Sequence, residues 1–195
     1  MFPAIFRVFL DANVLFPAAV RDTLLRAAEA GLIQVYWSEQ VLEEMRRNLV
    51  LRGQCTEDRA AVLVATLRRA FPTSVSTGYE HLVPAMRNEP GDRHVVAAAL
   101  AARAEVIVTN NLKHFRKEDL PKGMEAQPAD DFLQNLFDLE PRLMLEVLRK
   151  QAADKRRPPT SLEQLLEGLA RSVPHFVEDV RAYQLKSWNE GDVDA

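Results

Sequence analysis

The chain holds a single cysteine, Cys55, among its 195 residues. One thiol can neither close an internal disulfide nor build a cysteine-based zinc site. Glycine is scarce too, at seven residues, none of them near the first apolar run. That excludes the glycine-rich turn with which a dinucleotide-binding fold cradles phosphate. No stretch of about 18 apolar residues occurs, so no transmembrane helix is predicted. Residues 1–7 lack the basic region and small-residue cleavage site of a signal peptide, and a cytoplasmic protein without membrane attachment is expected. Basic charge is not in excess: 25 Lys and Arg stand against 28 Asp and Glu, for a net charge of −3, and the pI is near 5.9. A surface basic all round is thereby excluded. A local basic patch, which is what a nucleic-acid binder needs, is not. Internal repeats and low-complexity segments are missing.

What is present is an ordinary globular composition, 47% hydrophobic and 27% charged, enough to bury a core within one domain and a small appendage. The organising stretch is Phe6 to Phe16. Phe6-Arg7-Val8-Phe9-Leu10 favours a strand and runs straight into Asp11-Ala12-Asn13. A short apolar run before a polar turn reads as a buried parallel strand, at whose carboxyl end ligands bind. Residues Ala18 to Ala30 carry Val20, Leu24, Leu25 and Ala28 at helical spacing, closed by Gly31. Leu32 to Trp37 reads as a second strand. Ser38 caps a helix to about Arg52 with the stripe Val41, Leu42, Met45 and Leu49. Thr56 caps another, with Val62, Leu63 and Leu67, that stops before Pro72.

Thr73 to Pro90 reads as a short strand and a connection. Asp92 to Arg103 is an alanine-rich helix, and Val106-Ile107-Val108 is the clearest strand, ending at Thr109-Asn110-Asn111. A brief apolar segment around Met124 and a helix from Asp130 to Phe137 complete the alternation. Strands alternating with helices predict an α/β sandwich whose mostly parallel central sheet is flanked by helices. From Pro141 only helices are predicted: one with Leu143, Leu145, Val147 and Leu148, a break at Lys155 to Pro159, a capping box from Thr160 to Glu163, and a last helix after Pro174 bearing Phe176, Val180, Tyr183 and Leu185. The expected division is 1–137 for the α/β unit, 138–188 for a helical extension and 189–195 for a frayed acidic tail.

Three places project onto one edge in this topology: Asp11 with Asn13, Asp92, and Thr109 with Asn110 and Asn111. The helix after Ser38 adds Glu43 and Glu44. Each has an ordinary explanation: Asp11 as a turn or cap, Asp92 as a helix-opening acid favoured by the dipole, Glu44 in a surface pair with Arg47 or Asn48. His94 and His114 read as surface or satisfied histidines, and Thr109 as a hydroxyl that orients Asp11 or a water. Together, clustered carboxylates repel one another and call for a cation. Oxygen ligands without a cysteine or histidine set suit Mg²⁺ or Mn²⁺, which activate water and stabilise charge on a phosphodiester.

Leu10-Asp11-Ala12-Asn13-Val14-Leu15, Asp92-Arg93-His94-Val95 with its alanine helix, Ile107 to Phe115, and Pro128 to Leu133, in this order, resemble a PIN domain of the VapC-like toxin branch. The resemblance implies a PIN-like fold and an Mg²⁺- or Mn²⁺-dependent ribonuclease, with RNA as substrate and a cognate antitoxin protein as partner. It leaves a homodimer open. Carried over, Asp11, Glu44 and Asp92 match the family's metal-binding acids. Glu44 is chosen over Glu43 because it precedes Met45-Arg46 and borders the apolar stripe. Asn111 departs from the pattern, since many members carry an aspartate there, and with Thr109 it completes the expected catalytic set. The alternative is a non-catalytic or weakly catalytic PIN module that binds RNA or a protein. An aspartyl-phosphate phosphatase wants a second aspartate where Asn13 stands.

Overall fold

The computed structural model describes residues 6–155 and 158–189. Arg156 and Arg157 of the expected break, and residues 190–195 of the expected tail, lie outside the described residues, while Asn189 ends the last helix. The chain forms two compact units. The first runs up to Phe16 and then from Ile33 to Pro128; the second takes in Pro17–Leu32 and the chain from Ala129 onward.

The first unit is built on five strands, β1 (Phe6–Leu10), β2 (Ile33–Ser38), β3 (Val75–Ser76), β4 (Val106–Val108) and β5 (Glu125–Gln127). They lie in the order β3-β2-β1-β4-β5, and every pairing is parallel. The apolar run of β1 is buried on both faces, as a central parallel strand requires. Phe9 pairs with Tyr36 and Ile107, while Val8 pairs with Val35 and Val106. Paired residues share a face and neighbours alternate, so Arg7, Phe9, Tyr36 and Ile107 point to one side of the sheet. Ser76, paired with Ser38, points there too. Its Oγ donates to the Ala98 carbonyl at 2.8 Å, which identifies that side as the one covered by α5 (Arg93–Ala101). Ala97, Ala98 and Ala99 are all fully buried, and their small side chains let the helix lie close on the strands.

After a single turn, α1 (Ala12–Leu15), come α3 (Glu39–Leu51) and α4 (Glu57–Ala70), the intervening α2 (Ala18–Glu29) belonging to the second unit. The opposite sheet face carries Trp37, whose ring meets Phe71 at the end of α4 edge-on, 5.7 Å between centroids. Ser38 Oγ accepts from Val41 N, and Val41, Leu42, Met45 and Leu49 are buried along α3. The α4 stripe differs from its expected phase. Val62 is 66% exposed and Leu63 only partly covered, while Leu67 is buried as expected and is joined, at the spacing of successive turns, by Ala60 and Val64.

The second unit is helical: α2 (Ala18–Glu29), α6 (Ala129–Leu139), α7 (Pro141–Asp154), α8 (Leu162–Leu169) and α9 (Pro174–Asn189). α2 packs on α7 and α8, burying Val20, Leu24 and Ala27. Between α2 and α7 the buried Thr23 Oγ1 donates to Gln151 Oε1 at 2.8 Å. Phe137 of α6 meets Phe176 and Tyr183 of α9 edge-on. Leu185, expected inside, is exposed, and Val177 is buried beside Phe176 and Val180. The capping box of α8 is Ser161 with Gln164, one residue on from the predicted Thr160 and Glu163. Both pairs fit the pattern, but the Thr160 hydroxyl is committed to the Pro158 carbonyl. Among the described residues no helix is long and apolar enough to cross a membrane.

Candidate active site

β1 and β4 are adjacent at the centre of the sheet, and the strand order departs from them in opposite directions. Such a switch point leaves a crevice outside the carboxyl ends of the two strands, where ligands of open parallel sheets bind. Asp11 and Thr109 are the first residues past those ends. The backbone joins them across the crevice: Asp11 N donates to the Val108 carbonyl at 3.1 Å.

The Asp11 carboxylate is almost wholly buried, at 5% exposure. Ala12 N donates to its Oδ1 at 2.6 Å, and Asn13 Nδ2 and the Thr109 hydroxyl donate to its Oδ2 at 2.6 and 2.7 Å. Asn13 also reaches Thr109 Oγ1 and accepts from Asn110 N, so one amide ties the two strand ends together. Burial raises the Asp11 carboxyl from 3.8 to about 6, against the hydrogen bonds from Thr109 and Ala12, and the charges of Asp92 and Glu44 add to the rise. These three acids therefore feel one another.

Glu44 is half-buried on α3, whereas Glu43 is exposed and paired with Arg46. Burial pushes Glu44 up, but the proximity of His94, Gln40 and Arg47 outweighs it and holds the carboxyl below the ordinary value. Asp92 stands at the N-cap of α5, yet its side chain bonds no helix N–H. Capping is therefore not what its carboxylate does here. It turns to His114, whose Nδ1 lies 2.6 Å from Asp92 Oδ2. Asn111 meets the same ring, its Nδ2 2.7 Å from Nδ1, while its backbone N donates to Thr109 Oγ1. A ring nitrogen that donates to Asp92 cannot also accept from an amide nitrogen. When Nδ1 carries the proton, the Asn111 amide turns its oxygen to the ring.

Two histidines thus sit on the expected acids. His94 of α5 is buried, with Nε2 3.1 Å from Glu44 Oε1. The contact is close without the alignment of a hydrogen bond, and neither ring nitrogen has a hydrogen-bond partner. The expected reading of both as surface or satisfied histidines did not include these partners, which lie 22 and 50 positions away in the chain.

The donor set suits a hard divalent cation. It offers carboxylates and an amide without thiolate, and the like charges pressing on Asp11 are a burden a cation would relieve. Among the described residues no three His, Cys, Asp or Glu stand close enough to enclose a metal by themselves. Water or phosphate oxygens would fill the remaining positions, in keeping with the way Mg²⁺ retains several waters beside one or two carboxylates.

Residues 7–113 match the family model described as PIN domain, and residues 129–182 match the model described as VapC50 C-terminal domain. A protein of Mycobacterium tuberculosis (strain ATCC 25618 / H37Rv), named "Putative ribonuclease VapC50", is 41% identical over 110 residues. That region covers 56% of this chain and 65% of the relative, so the chain spans just under two thirds of that protein's length. With more than half of its residues matched by one model, and a parallel sheet that carries the matched aspartates at its carboxyl edge, the chain belongs to the PIN-domain family, among its VapC-like members.

Proposed function

We propose that the protein is a cytoplasmic endoribonuclease dependent on Mg²⁺ or Mn²⁺, acting as the toxin of a toxin–antitoxin pair. The observation that carries the reading is the buried Asp11 carboxylate at the switch point, raised to about 6 by burial with Asp92 and Glu44 pressing on it. A carboxylate held so is poised to exchange its proton for a cation. Asp11, Glu44 and Asp92 would hold the ion. When bound, it supplies a lowered pKa for coordinated water and stabilises negative charge on a phosphodiester.

The chain's own residues do the rest. Asn13 and Thr109 fix the orientation of Asp11 through two hydrogen bonds to one oxygen. His114 fixes Asp92 through one of its two oxygens. The buried His94 ring stands against Glu44. The toxin role and the antitoxin partner rest on the family and on the named relative.

The test is cleavage of a fluorescent single-stranded RNA with titrated Mn²⁺ and Mg²⁺. Cleavage that requires the ion and vanishes in Asp11→Asn supports the reading. A second reading, a non-catalytic PIN module, is favoured by the neutral Asn111 and by the acids' failure to close a shell alone. RNA binding without cleavage at any metal concentration decides for it.

A further inference from the structure

Three helices of this protein end in the same way. After α2, Gly31 N donates to the Ala28 carbonyl and Leu32 N to Ala27; after α3, Gly53 N donates to Val50 and Gln54 N to Leu49; after α5, Arg103 N donates to Leu100 and Ala104 N to Ala99. The motif places its penultimate residue in the left-handed region, where glycine alone avoids a steric penalty. Gly31 and Gly53 meet that requirement, with φ of +80° and +66°. The third position is Arg103, at φ +54°, and it is the one non-glycine residue with positive φ among those described. The chain keeps a strained arginine where its own two parallels use glycine. An outlier of this kind points to a use for the side chain.

The use is visible in what Arg103 borders. A hollow of about 290 Å³ opens beside the C-terminal end of α5, lined by Arg103 together with Arg7, Tyr36, Ser76 and Thr77. Arg7, Tyr36 and Ser76 lie on the sheet face that α5 covers; α5, nine residues long, ends at Ala101 beside the hollow, and the Ser76 hydroxyl is committed to the Ala98 carbonyl. No carboxylate lines the hollow. Arg7 Nη1 makes a long contact of 3.4 Å to the Ala102 carbonyl, which leaves most of its guanidinium N–H groups uncommitted. Among the described residues neither arginine has a carboxylate within ion-pair distance, Glu105 included, although the chain as a whole is acidic. Arg103 follows the C-terminal end of α5 and Asp92 precedes its N-terminal end, so the hollow is not the acidic crevice.

We propose that this hollow is a binding site for a phosphate group. Two guanidiniums, with Thr77 on the same lining, match a tetrahedral dianion, whereas a carboxylate is satisfied by one guanidinium fork. The volume is ample for a terminal phosphate with part of its sugar and small for a drug-sized ligand. The shared chemistry is a phosphate monoester, carried by a free nucleotide or by the 5′ end of an RNA.

Arg103→Gly makes the test decisive, because strain and binding predict opposite signs. The variant should melt higher than wild type in phosphate-free buffer, yet lose the rise in Tm that phosphate gives wild type. Calorimetric titration of the full chain with inorganic phosphate, a nucleoside 5′-monophosphate and a 5′-phosphorylated oligoribonucleotide identifies the source, with chloride at matched ionic strength as control. Saturable one-to-one binding in wild type, weakened at least about tenfold in Arg103→Gly and in Arg7→Gln and unchanged in Asp11→Asn, supports the site. If only the oligonucleotide saturates the site, the ligand is an RNA end; if the monophosphate does so equally, it is a nucleotide. No saturable binding of any of the three by wild type, with inorganic phosphate taken to about 10 mM, overturns the proposal. So does binding that survives Arg103→Gly, or binding of an acidic peptide in place of all three phosphates. Because Asp11→Asn is read in parallel, failure here is separable from failure of the nuclease reading.

Discussion

His114 Nδ1 lies 2.6 Å from Asp92 Oδ2, and the bond is made in place of the helix cap that Asp92 is positioned to provide. An imidazole that fixes a ligand carboxylate typically matters by about 10–100-fold in metal affinity or activity. His114→Ala is therefore expected to weaken Mn²⁺ binding and cleavage within that range. His114→Asn, which can still donate one hydrogen bond, should recover part of both. Calorimetric Mn²⁺ titration beside single-turnover cleavage checks this. Equal losses in the alanine and asparagine variants would mean that His114 merely fills space.

Asn111 shares that ring, and its amide engages His114 rather than Asp11. Asn111→Asp places a second carboxylate at the imidazole and restores a charge to the crevice. Neighbouring unit charges interact by about 4 kcal/mol at 4 Å under an effective dielectric near 20, with desolvation and mutual repulsion taking back much of it. The expected result is tighter Mn²⁺ binding and a lower metal concentration for half-maximal cleavage. Unchanged affinity in Asn111→Asp, with Asp11→Asn losing it, places Asn111 outside the ligand set.

Local pattern made much of this architecture readable. The apolar run into Asp11, the β-branched Val106-Ile107-Val108 and the alanines of α5 each announce a buried element, and Val8 to Leu10, Val106 to Val108 and Ala97 to Ala99 are buried. The stripe of α3 was legible because four apolar residues recur at helical spacing. What sequence could not supply was partnership. Nothing in the spacing of His94 and His114 joins them to Glu44 and Asp92. The apolar face of α2 was evident, but not that it packs on α7 and α8 or that Thr23 bonds Gln151. The α8 cap shifted by one residue because two overlapping pairs satisfied the same rule and only the Thr160 contact with Pro158 chooses between them.

Asp11 carries a pH signature. Its folded carboxyl sits near 6 against an ordinary 3.8, so the native state holds a proton that the unfolded chain releases between those values. The associated stability is full below about 3.8 and is lost as pH rises through about 6, by an amount on the order of 3 kcal/mol at most. Melting curves in chelator should thus show wild type losing stability from pH 5 to 7.5 relative to Asp11→Asn, which has no proton to lose there. Mn²⁺ should remove the difference by replacing the proton. Parallel pH slopes for the two proteins would show that the buried charge has no such cost.

The second unit predicts what truncation does. Pro17–Leu32 precedes most of the sheet in sequence but packs with the chain from Ala129 onward. In α2, Val20, Thr23, Leu24 and Ala27 are buried, and the Thr23 hydroxyl bonds Gln151 of α7. A chain ending at Leu136 keeps α2 and removes all of α7, α8 and α9. Four buried positions then face water on a helix that cannot be deleted without cutting β1 from β2. Exposing apolar side chains costs roughly 1.5–3 kcal/mol each for the larger ones, and a continuous apolar face invites association. The truncated chain should melt well below the full one and self-associate, and Leu24→Glu in that background should restore the monomer without restoring stability. Light scattering and thermal melts of the three proteins decide it. A truncated chain that stays monomeric with an unchanged Tm would mean that α2 draws nothing from the helices it packs against.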